Sequence, residues 1–141
     1  MKELSIEEKD LLLRDLCARL PYGVKIELMP ITRGKCTTLT PIILHDYFIS
    51  NDVNYLPYLR PMSSMTEDEF KKLKEYSGLV YDQLDLASFQ DGAYKCLDFY
   101  LNEVPADVVI LVFDWLNAHH FDFRNLIGRG VAIDCTGLNV Y

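Results

Sequence analysis

Two capping boxes, Ser5-Ile-Glu-Glu8 and Thr66-Glu-Asp-Glu69, fix the starts of two helices, and the chain between them is dominated by strand formers. In each box the hydroxyl accepts from an otherwise orphaned helix N–H, and the glutamate three residues on reaches back to the cap. A chain punctuated this way must pack helices on a sheet, which makes it α+β. After Ser5, apolar residues at Ile6, Leu13, Leu16, Cys17 and Leu20 keep helical spacing until Pro21-Tyr22-Gly23, predicting a helix from about Ile6 to Leu20. After Thr66, Phe70, Leu73 and Tyr76 share a face, acids precede Lys71, Lys72 and Lys74 as the helix dipole favours, and Gly78 suits a left-handed stop. The second helix is therefore expected from about Glu67 to Ser77.

Between these helices, Val24-Lys-Ile-Glu-Leu28 alternates strictly, predicting a half-buried strand with Val24, Ile26 and Leu28 inward and Lys25 and Glu27 outward. Pro30 to Gly34 and Ser50 to Asp52 read as turns. Lys35 to Thr40, Ile42 to Leu44 and Tyr47 to Ile49 predict two or three further short strands, with Pro41 at an edge or bulge. Prolines hold Tyr55 to Pro61 extended, because a residue before proline avoids the α region.

Beyond Gly78, a third helix is expected from about Asp85 to Asn102, with Leu86, Phe89, Ala93, Leu97, Tyr100 and Leu101 inward. Pro105 fits the first turn of a fourth, running through His119. Val108 to Phe113 would make that helix apolar on nearly every side, and the same residues also fit a buried strand followed by a shorter helix; the single helix is preferred. Val131 to Cys135 reads as a last strand. No linker, low-complexity tract or internal repeat interrupts the chain, so residues 1–141 are expected to form a single α+β domain: a small antiparallel sheet of short strands with about four helices.

With 141 residues, 50% of them hydrophobic and 25% charged, the chain can bury a core without a disulfide or metal staple. Its net charge of −7 opposes an unspecific grip on nucleic acid or an anionic membrane. All of that excess lies between Asp82 and Asp122, where eight acids face one base, Lys95. Such charges are ordinarily the wet side of amphipathic helices; the alternative is a face that meets a basic partner or mimics phosphates. Cys17, Cys36, Cys96 and Cys135 have no metal-ligand spacing and read as small core residues of a reduced compartment. The charged N-terminus has no apolar leader segment, and the apolar run Val108 to Phe113 is far short of the ~20 residues a bilayer requires. The expected location is the cytoplasm.

The densest polar constellation is Asp114-Trp-Leu-Asn-Ala-His-His-Phe-Asp-Phe-Arg124. On a helix Asp114, Asn117 and His120 fall at near-helical spacing, as a metal site or acid–base pair requires. Adjacent histidines point about 100° apart, however, and no H-x-x-x-H or H-E-x-x-H occurs. The simpler reading has His119 and His120 closing a helix at its negative pole. His45-Asp46 reads as a polar loop or strand-edge pair, Ser63 and Ser64 lack a nucleophile-elbow context, and Gly128-Arg-Gly130 lacks the rest of a phosphate-loop fingerprint. No metal or cofactor is therefore expected. Tyr55 to Met65 carries Tyr55, Tyr58, Arg60, Met62 and Met65, types enriched where proteins bind each other, although a packed connection covering the sheet is the other reading.

Three blocks carry a resemblance: Tyr58-Leu-Arg-Pro-Met-Ser-Ser-Met-Thr-Glu67; Asp114 to Ile127 with the Gly130-Val-Ala-Ile tail; and Glu3 to Gly23. Covering about half the chain, they resemble small proteins of gut anaerobic bacteria and their prophages. That resemblance implies a mobile-element background and no activity or site residue; Val104 to Phe113 departs from it in its density of apolar residues. The function expected is a non-enzymatic, acidic protein-interaction module with a protein partner and no direct nucleic-acid or membrane contact. Binding residues are expected among Tyr58, Arg60, Met62, Trp115, His119, His120 and Arg124. The alternatives are a small metal-dependent hydrolase built on His119 and His120 with Asp114 and Asp122, and an acidic inhibitor of a nucleic-acid-binding protein. Homo-oligomerisation is compatible with each.

Overall fold

A computed structural model of the chain describes residues 4–29, 36–49, 54–79, 84–93 and 104–141. The expected turns at Pro30–Gly34 and Ser50–Asp52, and the part of the expected third helix beyond Ala93, with Lys95, Cys96 and Asp98, lie outside the described residues. Five helices are described: α1 (Ile6–Arg19), α2 (Pro41–Ile49), α3 (Glu67–Ser77), α4 (Leu86–Asp91) and α5 (Ala106–Ala118). Five short strands accompany them: β1 (Lys25–Met29), β2 (Thr37–Thr38), β3 (Asn54–Pro61), β4 (Phe121–Asp122) and β5 (Ile133–Asp134).

The fold is α+β, with a mixed sheet in place of the antiparallel one expected. Its order is β2-β1-β3-β4, and β5 also pairs with β3. β1 runs antiparallel to β2 and to β3, with Ile26 opposite Thr37 on one side and Pro57 on the other. β4 and β5 run parallel to β3, Arg60 opposite Phe121 and Tyr58 opposite Ile133. Parallel pairing needs a long crossover, and the helices α3 to α5 between β3 and β4 supply it. The proline-rich segment read as merely extended is thus the strand on which the other elements converge.

Both capping boxes form: Ser5 Oγ accepts from the N–H of Glu8, and Thr66 Oγ1 from that of Glu69, each glutamate returning the bond. Gly78 closes α3 at φ 76°, a conformation that costs glycine nothing. The buried face of α3 runs Phe70, Leu73, Ser77, leaving Tyr76 55% exposed rather than inward. On α1 the buried face is Leu12, Asp15, Leu16 and Arg19, while Ile6 and Cys17 are exposed. This rotates the expected apolar stripe, because Asp15 and Arg19 satisfy one another and go inside together.

The strands expected over Ile42–Leu44 and Tyr47–Ile49 are instead α2. Thr40 is its cap, with Oγ1 accepting from the Ile43 N–H, and Pro41 sits at the first helical position, where its missing N–H costs nothing. Leu44 and Tyr47 then fall one turn apart and are buried, Tyr47 against the ring of Tyr55 at 5.2 Å. The helix expected from Asp85 is capped by Asp85 and breaks at Gly92, well short of Asn102 in its unbroken form. Val108 to Phe113 is helical within α5, which resolves the helix-or-strand alternative. Glu27, expected outward, is buried.

Two apolar clusters fill the interior. Phe70, Leu73, Phe89, Val112, Trp115, Leu116 and Phe121 join α3, α4 and α5 to β4. Leu12, Leu16, Val24, Ile26, Tyr47, Leu59, Leu126 and Val131 join α1 and α2 to the sheet. At about 25 cal/mol per Å² of apolar area, burial on this scale dominates the energy that holds the domain together.

Candidate functional site

The two interaction segments expected from sequence meet in space, because β3 and β4 are neighbours in the sheet. The backbone N–H of Arg60 donates to the His120 carbonyl at 2.8 Å. The Arg60 guanidinium grips Glu69 with two bonds, Nη1 to Oε2 at 2.7 Å and Nη2 to Oε1 at 2.9 Å, and lies 4.1 Å over the Phe121 ring. Those bonds from Arg60 outweigh partial burial and hold the Glu69 carboxyl below the usual carboxylate range. One glutamate thus caps α3 and fixes the arginine of β3.

Of the residues expected to bind, Tyr58, Met62 and Trp115 are only 5%, 9% and 6% exposed and belong to the core. Their aromatic and thioether surface is spent on folding, as in the packed-connection reading of Tyr55 to Met65. Arg60 and Arg124 are partly exposed and His119 is exposed.

The histidines separate. His119 ends α5 and stacks on Trp115 with centroids 4.0 Å apart. His120 turns into the left-handed region at φ 64° and stacks on Tyr141 at 3.6 Å with planes within 8°. This reversal sends adjacent imidazoles to different aromatic partners. Burial, reinforced by Arg19, His119, Arg60 and Lys25, lowers the His120 pKa to about 4, and partial burial also lowers that of His119. Asp122 is no ligand partner: its Oδ1 accepts from the Leu126 N–H at 2.8 Å and its Oδ2 from that of Ile127 at 2.9 Å. Among the described residues, no three His, Cys, Asp or Glu side chains are grouped to hold a metal ion.

Two features escaped the sequence reading. Asp15 and Arg19 are fully buried one helical turn apart; Arg19 Nε donates to Asp15 Oδ2 at 2.9 Å and Nη2 to the Phe121 carbonyl at 2.6 Å. Arg124 Nη1 completes the cluster at 2.7 Å from Asp15 Oδ1. The Leu12, Asp15, Leu16, Arg19 spacing was the available signal, since it lies on one helix face. The second feature is Tyr141, whose hydroxyl donates to the Tyr58 carbonyl at 2.7 Å and accepts from the Lys25 N–H at 2.9 Å. By the β1–β3 register, Lys25 and Tyr58 would be the next pair of the ladder, so the phenol wedges it open. Nothing local in the sequence announces this.

No protein-family model, curated protein or solved structure matches this chain. Arg19 Nη1, Asn117 Oδ1 and His120 Nδ1 are buried without a hydrogen-bond partner in the described structure, around the C-terminal end of α5. A cleft of about 370 Å³ is lined by Arg60, Ser64, Cys135, Thr136, Leu138 and Tyr141 among others, and the Tyr141 ring stacks on that of His120. Burial pushes the Cys135 thiol up, which disfavours the thiolate and fits a structural cysteine; Cys17 and Cys36, read as core residues, are exposed. No described helix is long and apolar enough to cross a membrane.

Proposed function

We propose that the protein is a non-enzymatic cytoplasmic interaction module that docks onto a protein partner. The observation that carries this reading is a set of exposed apolar and aromatic side chains on the turn after α1, on α3 and on α5. Tyr22 is 38% exposed, Tyr76 55% and Ile110 61%. Tyr22 lies within electrostatic reach of both Tyr76 and Asp114, and Ile110 is one turn before Asp114 on α5. Tyrosines with an apolar neighbour and a carboxylate beside them are the composition of an interface hot spot. The surface therefore differs from the Tyr58 and Trp115 surface that composition alone suggests.

The hydrolase alternative has less support, since His119 and His120 are spent on separate ring stacks and the charges acting hardest on His120 after burial are cationic. The resemblance of three sequence blocks to small proteins of gut anaerobes and prophages makes proteins of such a bacterium or its phages the pool to screen. The test is affinity capture by the tagged protein from such a lysate, repeated with Tyr22→Ala and Tyr76→Ala after unfolding midpoints confirm that both variants fold. Either substitution should weaken capture of a specific partner by about tenfold or more. A partner held equally well by both variants, or none captured at any salt concentration, would overturn the reading.

A further inference from the structure

We propose that a cleft between α1 and the turn formed by residues 122–131 is a binding site for a phosphomonoester-type oxyanion, separate from the docking surface above. The cleft holds about 480 Å³ and is lined by Leu11, Arg14, Phe123, Arg124, Asn125 and Arg129. Three guanidinium groups thus line one cavity, with no carboxylate among its described lining residues, in a protein whose net charge is −7. Arginine is the side chain whose planar fork matches phosphate geometry.

The turn side of the cleft is preorganised, with Arg124 held in place. On α1, Leu11, Arg14 and Asp15 share a face that meets the turn. Arg124 is fixed from two sides: Nη1 bonds to fully buried Asp15 at 2.7 Å, and the guanidinium lies 4.5 Å from the Phe123 ring centroid. Its other N–H groups form no further hydrogen bond in the described structure and remain available to a ligand. Phe123 is itself held by Phe113 at 5.0 Å. The turn is locked by both oxygens of Asp122 on the Leu126 and Ile127 N–H groups, by Arg129 N to the Asn125 carbonyl, and by Val131 N to the Leu126 carbonyl. Arg14, whose ion pair among the described residues is with exposed Asp10, can swing toward a bound anion at little cost. A cavity of this size suits a small phosphorylated molecule or a phosphorylated side chain, and the shared element recognised is the phosphoryl dianion.

The experiment is titration of the full chain at low ionic strength with inorganic phosphate, phenyl phosphate and, as control, acetate, followed by amide chemical shifts. Shifts induced by both phosphates should concentrate at residues 11–14 and 123–129. Arg14→Ala and Arg129→Ala, both at exposed positions, should each weaken binding by about tenfold while leaving the unfolding midpoint near that of the parent. Phenyl phosphate bound at least as tightly as inorganic phosphate would support a monoester site. Acetate bound as tightly as phosphate, shifts mapping elsewhere, or two variants with unchanged affinity would each overturn the proposal.

Discussion

The phenol of Tyr141 lies flat on the imidazole of His120, 3.6 Å between centroids, although they lie 21 positions apart in the chain. That stack ties the C-terminal segment to the left-handed turn after α5, and the same phenol bridges β1 and β3 through its hydroxyl. A single side chain therefore joins the end of the helix to the middle of the sheet.

Replacing Tyr141 with phenylalanine keeps the stack and removes the bridge. The Lys25 N–H and Tyr58 carbonyl would lose their partner at a point where the ladder cannot close. The expected loss is about 0.5–1.5 kcal/mol of unfolding free energy, read from urea denaturation, the net contribution of hydrogen bonds at a position water can reach. Unchanged stability would show that water replaces the hydroxyl freely.

The His120 ring predicts acid sensitivity. Its pKa is about 4 in the folded chain against the ordinary 6.5, so between these values the unfolded chain binds more protons and stability falls as pH drops. The stabilisation is complete above pH 6.5 and is lost as pH approaches 4. Allowing for the ring's partial exposure, about 1–2 kcal/mol should be at stake. His120→Asn accepts the φ of 64° and cannot titrate in this range. Unfolding free energies of parent and variant, compared from pH 7 to pH 4, should show the parent falling more steeply.

Asp15 anchors a buried arginine. Removing its carboxylate in Asp15→Ala leaves Arg19, fully buried, without its ion-pair partner and frees Arg124. The expected cost is about 3–5 kcal/mol. The double variant Asp15→Leu with Arg19→Met, which removes both charges, should recover much of it. A thermodynamic cycle over the parent, Asp15→Leu, Arg19→Met and the double variant measures the coupling, and additive losses would contradict it.

Gly128 leaves room for Asn125. A Cβ at residue 128 would fall 2.4 Å from Asn125 Oδ1, so Gly128→Ala must displace that side chain. Because Asn125 and Gly128 are both exposed and the Asn125 amide can rotate outward, a loss below about 1 kcal/mol is expected. Asn125 itself sits at φ 57°, so Asn125→Gly relieves the clash without straining the backbone, and the double variant should be more stable than Gly128→Ala alone. Thermal unfolding of the three variants decides this.

What could be read from the chain was whatever neighbours a few residues apart determine. Ser5 with Glu8 and Thr66 with Glu69 specify caps by direct hydrogen bonds, and Gly78 specifies a stop, so α1 and α3 begin and end where expected. The Val24 to Leu28 alternation located β1, and Pro105 located the start of α5, within the usual boundary shift of a residue or two. Reading Thr40-Pro41 as an edge marker rather than a cap and first helical residue turned α2 into strands, since short apolar runs have no decisive period.

Tertiary structure alone decided the rest. Whether β4 and β5 run parallel to β3 depends on how α3 to α5 return the chain, not on the residues of the strands. Asp15 and Arg19 go inside because each neutralises the other and Phe121 and Arg124 complete them across 102 and 109 positions, an outcome that hydropathy, which counts each charge separately, assigns to solvent. The histidines part because His120 reverses its backbone and finds Tyr141. Local propensity and capping are energies between near neighbours and are written in the sequence; burial, strand partnership and the pairing of distant charges are energies of the packed whole and exist only once the chain has closed on itself.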